Sequence, residues 1–299
     1  MKKIKKMLMA MLLLVAMVSL GACEKAVFDE QQEEKQPLTG NVIIRTSMYN
    51  IVPFETRAVQ NVADFSTKLQ FVLYQNGSKV KGITQKKEDG GNYGQIGLAL
   101  EPGTYQLLVL AHSSTGENPS VANPEFIQFT NSDSFSDTFY YYGDIEVTSE
   151  QNTYDVTLQR ATSMVRITIL DEVPSNVQRF ILEYQGESGV FNAVTGMGGT
   201  TNSEQIMQFS AAGKTPPFSL CAYTFLRNET GTLNMTIKAC GSSPSDIIVQ
   251  KELTNIPMKN HMVTEYSGYL FSTPPPANVD ASFNLTAETD WEVYQQLSF

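Results

Sequence analysis

The chain has 299 residues, a formal net charge of −10 and a sequence pI of about 4.8. An acidic surface repels nucleic acid and anionic headgroups, so the composition argues against nucleic acid as a partner, although the same charge is a common aid to solubility. After the N-terminus, no stretch approaches the roughly 20 consecutive apolar residues that a membrane-spanning helix needs.

Residues 1–22 have the pattern of a secretory signal peptide. Four lysines among the first six residues precede an apolar run from Met7 to Val18. A charged start followed by a short apolar run is typical of an export signal and is too short for a membrane span with proper flanks. Removing this segment takes away four lysines and no acids, which moves the formal charge from −10 to −14.

Cys23 follows a lipobox, the small-residue motif that precedes the lipid-modified cysteine of bacterial lipoproteins. Its residues here are Leu20, Gly21 and Ala22. The motif predicts acyl chains such as palmitate on Cys23, each contributing roughly 0.8 kcal/mol per buried methylene, and hence an outer-membrane lipoprotein exposed at the cell surface. The alternative is an ordinary cleaved signal with a cysteine nearby by chance.

Residues 23–40 predict an acidic tether between the lipid and the fold. Their sequence after the cysteine is EKAVFDEQQEEKQPLTG, which has almost no large apolar groups and therefore cannot form a core.

Residues 41–160 predict a first β-sandwich. Apolar and polar residues alternate with period two, and turn pairs such as Asn76-Gly77 and Pro102-Gly103 separate the apolar runs. Short strands without any sustained helical stripe after residue 22 predict an all-β protein.

Residues 161–299 predict a second β-sandwich, with a domain boundary near residue 160. The strand-like run that opens it is RATSMVRITIL, and the stiff connector TPPPA at 273–277 leads to a terminal strand within 281–299. The apolar residues of this terminal strand are Trp291, Val293, Leu297 and Phe299. Two hypotheses fit: the strand closes its own sheet, or it completes the sheet of a neighbouring subunit.

Cys221 and Cys240 flank an apparent β-hairpin that turns near residues 228–231. If Thr230 and Gly231 form a two-residue turn, the two cysteines lie directly opposite each other. In an oxidising compartment this register predicts a disulfide worth about 3 kcal/mol. The alternative is two small buried apolar side chains.

The sequence contains no recognisable catalytic, cofactor or metal motif, so we expect no enzyme activity, no cofactor and no bound metal. His112 and His261 lie in turn-like surroundings and are interpreted as solvated loop residues. Carboxylate neighbours such as Asp171 and Glu172 occur by chance in a chain with 31 acids. The aromatic run at 139–142 indicates a half-buried strand more strongly than a sugar-stacking surface.

Several segments, in their order along the chain, resemble the fimbrillin superfamily of Bacteroidales type V pili, and most closely its lipoprotein anchor and accessory subunits. The resemblance implies two transthyretin-like Greek-key β-sandwich domains in tandem and a structural role in a cell-surface pilus. After the lipobox, the segments that carry it are ETRAV at 55–59, FSTKLQFVLYQNG at 65–77, LEPGTYQLLVLA at 100–111, LQRATSMVRITILDEVP at 158–174, NIPMKNHMVTEYSGYLFS at 255–272 and SFNLTAETDW at 282–291.

In that family, as the resemblance implies, shaft precursors lose their first strand after an arginine, and the open groove accepts a strand from a neighbouring subunit. Arg57 matches the position of such a cut. An anchor must stay uncut, because its first strand connects its lipid to its fold. Three readings stay open: a lipidated anchor or accessory subunit that contacts other fimbrial subunits and the outer membrane, a shaft or tip subunit processed at Arg57, and a glycan-binding surface lipoprotein.

Overall fold

The computed structural model describes residues 37–49, 59–129, 135–199, 204–272 and 293–298. Nearly all regular structure in these residues is β-strand, which confirms the all-β prediction. Two short 3-10 helices, Val62–Asp64 and Lys87–Asp89, accompany the strands. Strands of the first half are β1 Val42–Tyr49, β2 Val59–Gln60, β3 Lys68–Gln75, β4 Ser78–Lys86, β5 Gln95–Leu98, β6 Gly103–His112, β7 Ser120–Asn123, β8 Phe126–Gln128, β9 Phe139–Val147 and β10 Asn152–Arg160. Strands of the second half are β11 Ser163–Ile169, β12 Arg179–Gln185, β13 Val190–Asn192, β14 Met197–Gly198, β15 Gln205–Ser210, β16 Phe218–Thr224, β17 Thr230–Cys240, β18 Ile247–Lys259, β19 Val263–Gly268 and β20 Val293–Ser298.

The first sandwich is one eight-stranded sheet that folds over on itself. Its path runs β2-β1-β10-β9-β6-β3-β4, and β5 pairs with β1. Strand β10 pairs with β1 through residues 152–158 but with β9 only at residues 159–160, so the sheet turns at this joint. Alternate residues of both layers enclose one apolar core, in which Ile44, Phe71 and Leu107 are buried.

The second sandwich packs two four-stranded sheets, β16-β11-β19-β20 and β15-β12-β17-β18. Its core takes alternate residues from both sheets, including Ile167, Phe180 and Ile237. Each of these side chains is fully buried because the strands alternate an apolar inner face with a more polar outer face.

Seven strands repeat the same topology in the two sandwiches. In both, the first strand pairs parallel with the last and antiparallel with the fourth, as β1 does with β10 and β5 and as β11 does with β19 and β16. The facing sheets also correspond, since β4-β3-β6-β9 matches β15-β12-β17-β18. Strand β20 has no counterpart in this seven-strand repeat.

A small bridging sheet, β14-β13-β8-β7, joins the two halves of the chain. Strands β8 and β13 pair across the halves, with Phe191 opposite Ile127. Beneath this sheet lies an aromatic cluster in which Phe225 is 5.1 Å from both Phe129 and Phe191, measured between ring centroids. We call this layer, the bridging sheet with the aromatic cluster below it, the junction. No pattern in the sequence predicts it.

The predicted Cys221–Cys240 hairpin is wrong. Strand β16 pairs with β11, whereas β17 pairs with β12 and β18, so the two cysteine strands belong to opposite sheets. Cys221 alternates with core residues of β16 and Cys240 with core residues of β17, which turns both side chains away from a core roughly 10 Å thick. A disulfide needs Cα atoms within about 7 Å, and no disulfide joins this pair, both members of which are described.

Candidate functional site

Strand β1 lies inside its sheet, with neighbours on both sides. It pairs parallel with β10 over seven residues, and antiparallel with β5 and then β2 on its other side. Ile44 is 0% exposed and lies opposite Tyr154 and Ile96. Val42 and Met48 are buried on the same face. The strand is therefore part of the core and not an added edge.

Polar contacts fix the start of β1. The Asn41 side chain donates through Nδ2 to the Leu100 carbonyl and accepts the Leu100 amide at Oδ1, both at 2.9 Å. The Asn41 carbonyl accepts the Asn152 amide at 2.7 Å. These bonds hold the chain on both sides where it enters the sandwich, which is the point that a tether from the N-terminus would load.

Strands β1 and β2 pair antiparallel, with Tyr49 opposite Val59, and the segment 50–58 connects them. Arg57 belongs to this segment and lies outside the described residues, as does Cys23 with the predicted signal peptide and most of the tether. The processing and lipidation sites therefore stay predictions.

Strand β20 extends the second sandwich at the edge of its sheet. Among the described strands it pairs only with β19, in parallel, from Val263 opposite Val293 to Ser267 opposite Ser298. Leu297 is 36% exposed, so a large apolar side chain is left at the surface. The chain's terminal strand thus lies in its own sheet in this structure. Trp291 and Phe299 lie outside the described residues.

The parallel pair that β20 extends is reinforced by a buried ion pair. Arg166 of β11 donates through Nη1 to a carboxylate oxygen of Glu265 of β19, at directly opposed positions. Both side chains are buried, so the removal of one partner would leave a buried charge that has lost its ion-pair partner. The pair holds β11 and β19 in register.

Asp171 fixes the path of the chain after β19, a role that the sequence analysis missed. Its carboxylate accepts the backbone amides of Leu270, Phe271 and Ser272 at 2.7–3.0 Å, and the Ser272 hydroxyl at 3.1 Å. The three donors lie about 100 residues away in sequence, so no local pattern reveals the contact. Asp171 thus anchors the chain where it leaves β19 towards β20.

The prediction of solvated loop histidines is wrong for His112. It is the last residue of β6 and is 0% exposed, because the period-two pattern of that strand places it on the same face as Leu108 and Leu110. His261 does lie in a turn, with a φ of 60°, but its Nε2 atom is buried.

The aromatic run is a strand with both faces partly covered. Phe139 belongs to the core of the first sandwich and Tyr140 to the junction, so these rings are already packed inside the protein. Among the described residues, no group of three or more His, Cys, Asp or Glu side chains is arranged to hold a metal ion. No helix in the described ranges is long and apolar enough to cross a membrane.

The family model of the fimbrillin-A associated anchor proteins Mfa1 and Mfa2 matches residues 34–243. The chain belongs to this family. The match begins before β1, and it continues through the first sandwich to the end of β17, which covers more than half of the sequence. Membership confirms the resemblance to fimbrial anchor and accessory subunits, and it indicates a structural, cell-surface protein of the fimbrium.

Two of the solved structures that match the chain are fimbrial proteins. The fimbrial anchor protein Mfa2 from Porphyromonas gingivalis is 9% identical, with a TM-score of 0.40, over 71% of this chain and 82% of that one. A fimbrial assembly protein from Parabacteroides distasonis is 9% identical, with a TM-score of 0.37, over 78% and 92%. No curated protein sequence matches the chain at a significant level. Because these TM-scores are below 0.5, the family assignment rests on the sequence model alone.

Proposed function

We propose that this protein is a fimbrial anchor or accessory lipoprotein that keeps β1, is attached to the outer membrane through acyl chains on Cys23, and joins other fimbrial subunits by strand complementation. The observation that carries the proposal is the family match combined with the position of β1. The strand begins at Val42, shortly after the predicted tether, and is bonded on both sides. A pull on the lipid would therefore be transmitted to the centre of a sheet.

Retention of β1 is favoured by what its loss would expose. Without it, β5 and β10 would lose their backbone partners and the core would lose three buried side chains. A cut at Arg57 would produce this open groove, as in a shaft subunit. It would also separate the fold from any lipid on Cys23, so processing and anchoring exclude each other.

Strand β20 is the candidate for exchange with a neighbouring subunit. It lies outside the seven-strand repeat, it pairs with a single strand among those described, and it leaves Leu297 partly exposed. Such a strand gives up the backbone bonds of one neighbour when it leaves and regains equivalent bonds in a foreign groove.

The lipid attachment is tested by Cys23→Ala, with Cys221→Ala as the matched control. Detergent-phase partitioning of exported protein should move Cys23→Ala into the aqueous phase and leave the control in the detergent phase. If Cys23→Ala stays in the detergent phase, the anchor assignment is wrong.

Strand exchange is tested by locking β20 to β19. Ser267 and Ser298 are register partners, so the double variant Ser267→Cys and Ser298→Cys can be cross-linked, with Ser298→Cys alone as control. If β20 is donated, the oxidised double variant should fail to incorporate into pili and recover after reduction. Equal incorporation of the oxidised double variant and the control would exclude donation of β20.

A further inference from the structure

His112 contacts the junction directly, and His261 lies in a turn that reaches it. His112 ends β6 and packs edge-on against Phe129, with 6.1 Å between ring centroids and 81° between ring planes. Neither of its ring nitrogens has a hydrogen-bond partner among the described residues. The nearby side-chain oxygens of Gln70 and Ser114 are also buried and unbonded within the described part of the chain. As the side chains are placed here, no described acceptor lies within hydrogen-bond distance of either ring nitrogen of His112.

The second histidine, His261, is next to the same layer without a contact to it of its own among the described residues. It lies in the turn between β18 and β19, where its backbone amide donates to the Ser163 hydroxyl at 3.0 Å. The preceding Asn260 contacts the sulfur of Met197 in β14, so this turn touches the bridging sheet. The Nε2 atom of His261 is buried without a partner among the residues described.

The charges around the two imidazoles mostly oppose protonation. Lys68 of β3 lies opposite His112 and lowers its pKa further, after burial, to about 4. Burial also lowers the pKa of His261, and Arg160 adds to this effect, whereas Glu229 works against it. Asp137 is engaged by Arg160 through two donors at 2.8–3.1 Å, so its charge is already compensated.

We propose that the junction is an acid-sensitive hinge: protonation of His112 and His261 releases the bridging sheet while the cores of both sandwiches stay folded. A charged His112 imidazole that is fully buried and has no bonded acceptor is costly, and opening its contact with Phe129 to water removes this cost. The strands of the bridging sheet are only two to four residues long, whereas β6 and β17 have ten and eleven. The release is therefore local, and it changes the angle between the two sandwiches.

Hydrogen exchange followed by mass spectrometry at neutral pH and at about pH 4.5 tests the hinge, after correction for the intrinsic pH dependence of exchange. Acid should speed corrected exchange in peptides covering 120–128 and 190–198 by at least about tenfold, with little change in β6 and β17. The double variant His112→Leu and His261→Asn should lose this response, because Asn tolerates the positive φ of residue 261. An unaltered response in the variant, or uniform acceleration over the chain, would overturn the proposal.

The NMR titration of the two histidines in the native protein supplies a test that needs no variant. The hinge requires both imidazoles to take up protons well below the ordinary value of about 6.5, together with shifts in junction resonances. Titration of both at the ordinary value, or protonation without any change at the junction, would exclude the hinge.

Discussion

Truncation of one side chain in β1 measures how far the first sandwich depends on this strand. Ile44 is fully buried between β10 and β5, and Ile→Ala substitutions at such sites cost about 2–5 kcal/mol through lost burial and a residual cavity. Ile43→Ala is the matched control, because its side chain is on the opposite, partly exposed face of the same strand. Urea unfolding, followed by far-UV circular dichroism, should place Ile44→Ala at least about 1.5 kcal/mol below the control.

The same reasoning sets the cost of losing the whole strand. Val42, Ile44 and Met48 are all buried, and at roughly 1.5–3 kcal/mol each their burial contributes about 5–9 kcal/mol. That sum is comparable to the net stability of about 5–15 kcal/mol that is typical of a domain. The first sandwich should therefore unfold without β1 unless another strand replaces it. If Ile44→Ala is no more destabilising than Ile43→Ala, β1 is not integral to the core and the argument fails.

Four further outcomes follow from the geometry. Asp171→Ala should lower the free energy of unfolding by about 2–3 kcal/mol in a denaturant titration, since three backbone amides lose a charged acceptor, and a loss below about 0.5 kcal/mol would contradict this role. Burial lowers the pKa of His112 from 6.5 to about 4, so the stability that its neutral form contributes is complete above pH 6.5 and is lost as the pH falls towards 4. The free energy of unfolding should fall by about 3 kcal/mol over this range in the native protein and by less in His112→Leu. An equal fall in both proteins would refute the lowered pKa of His112. Deletion of residues 293–298 should abolish incorporation into pili and leave most of the unfolding free energy, whereas collapse of the second sandwich would show that β20 is needed by its own fold. Non-reducing peptide mapping should find no bond between Cys221 and Cys240, and a linked peptide would refute the observed strand order.

The local pattern of the sequence was sufficient for strands and for tight turns. Asn76 and Gly77 both have positive φ, at 52° and 75°, and they form the turn between β3 and β4 that the residue pair predicted. Alternation also predicted the terminal strand, found as β20 Val293–Ser298. These features are determined by residues that are neighbours in sequence, so a local sequence pattern can predict them.

The local pattern did not predict which distant strands pair with each other. The segment from 218 to 240 has the turn residues of a hairpin, yet the chain crosses from one sheet to the other between β16 and β17. A hairpin turn and a connection that crosses between sheets can use the same residue types. Which of the two forms depends on which distant strands β16 and β17 pair with, and the residues of the connection do not specify this.

The junction was missed for a related reason. His112 is followed by the polar residues Ser113 and Ser114, which suggested a loop, and the contact with Phe129 comes from an insertion between β6 and β9. Strands β8 and β13 are three residues each, too short for alternation to indicate them. Their pairing joins segments about 60 residues apart, and no local composition encodes it.

The N-terminus of the native protein tests the central claim most directly. Intact-mass and peptide mass spectrometry of protein extracted from membranes should find an acylated Cys23 as the first residue, in a chain that still contains β1. A chain that begins at Ala58, without acylated residue 23, would contradict the anchor and assign the protein to the processed subunits.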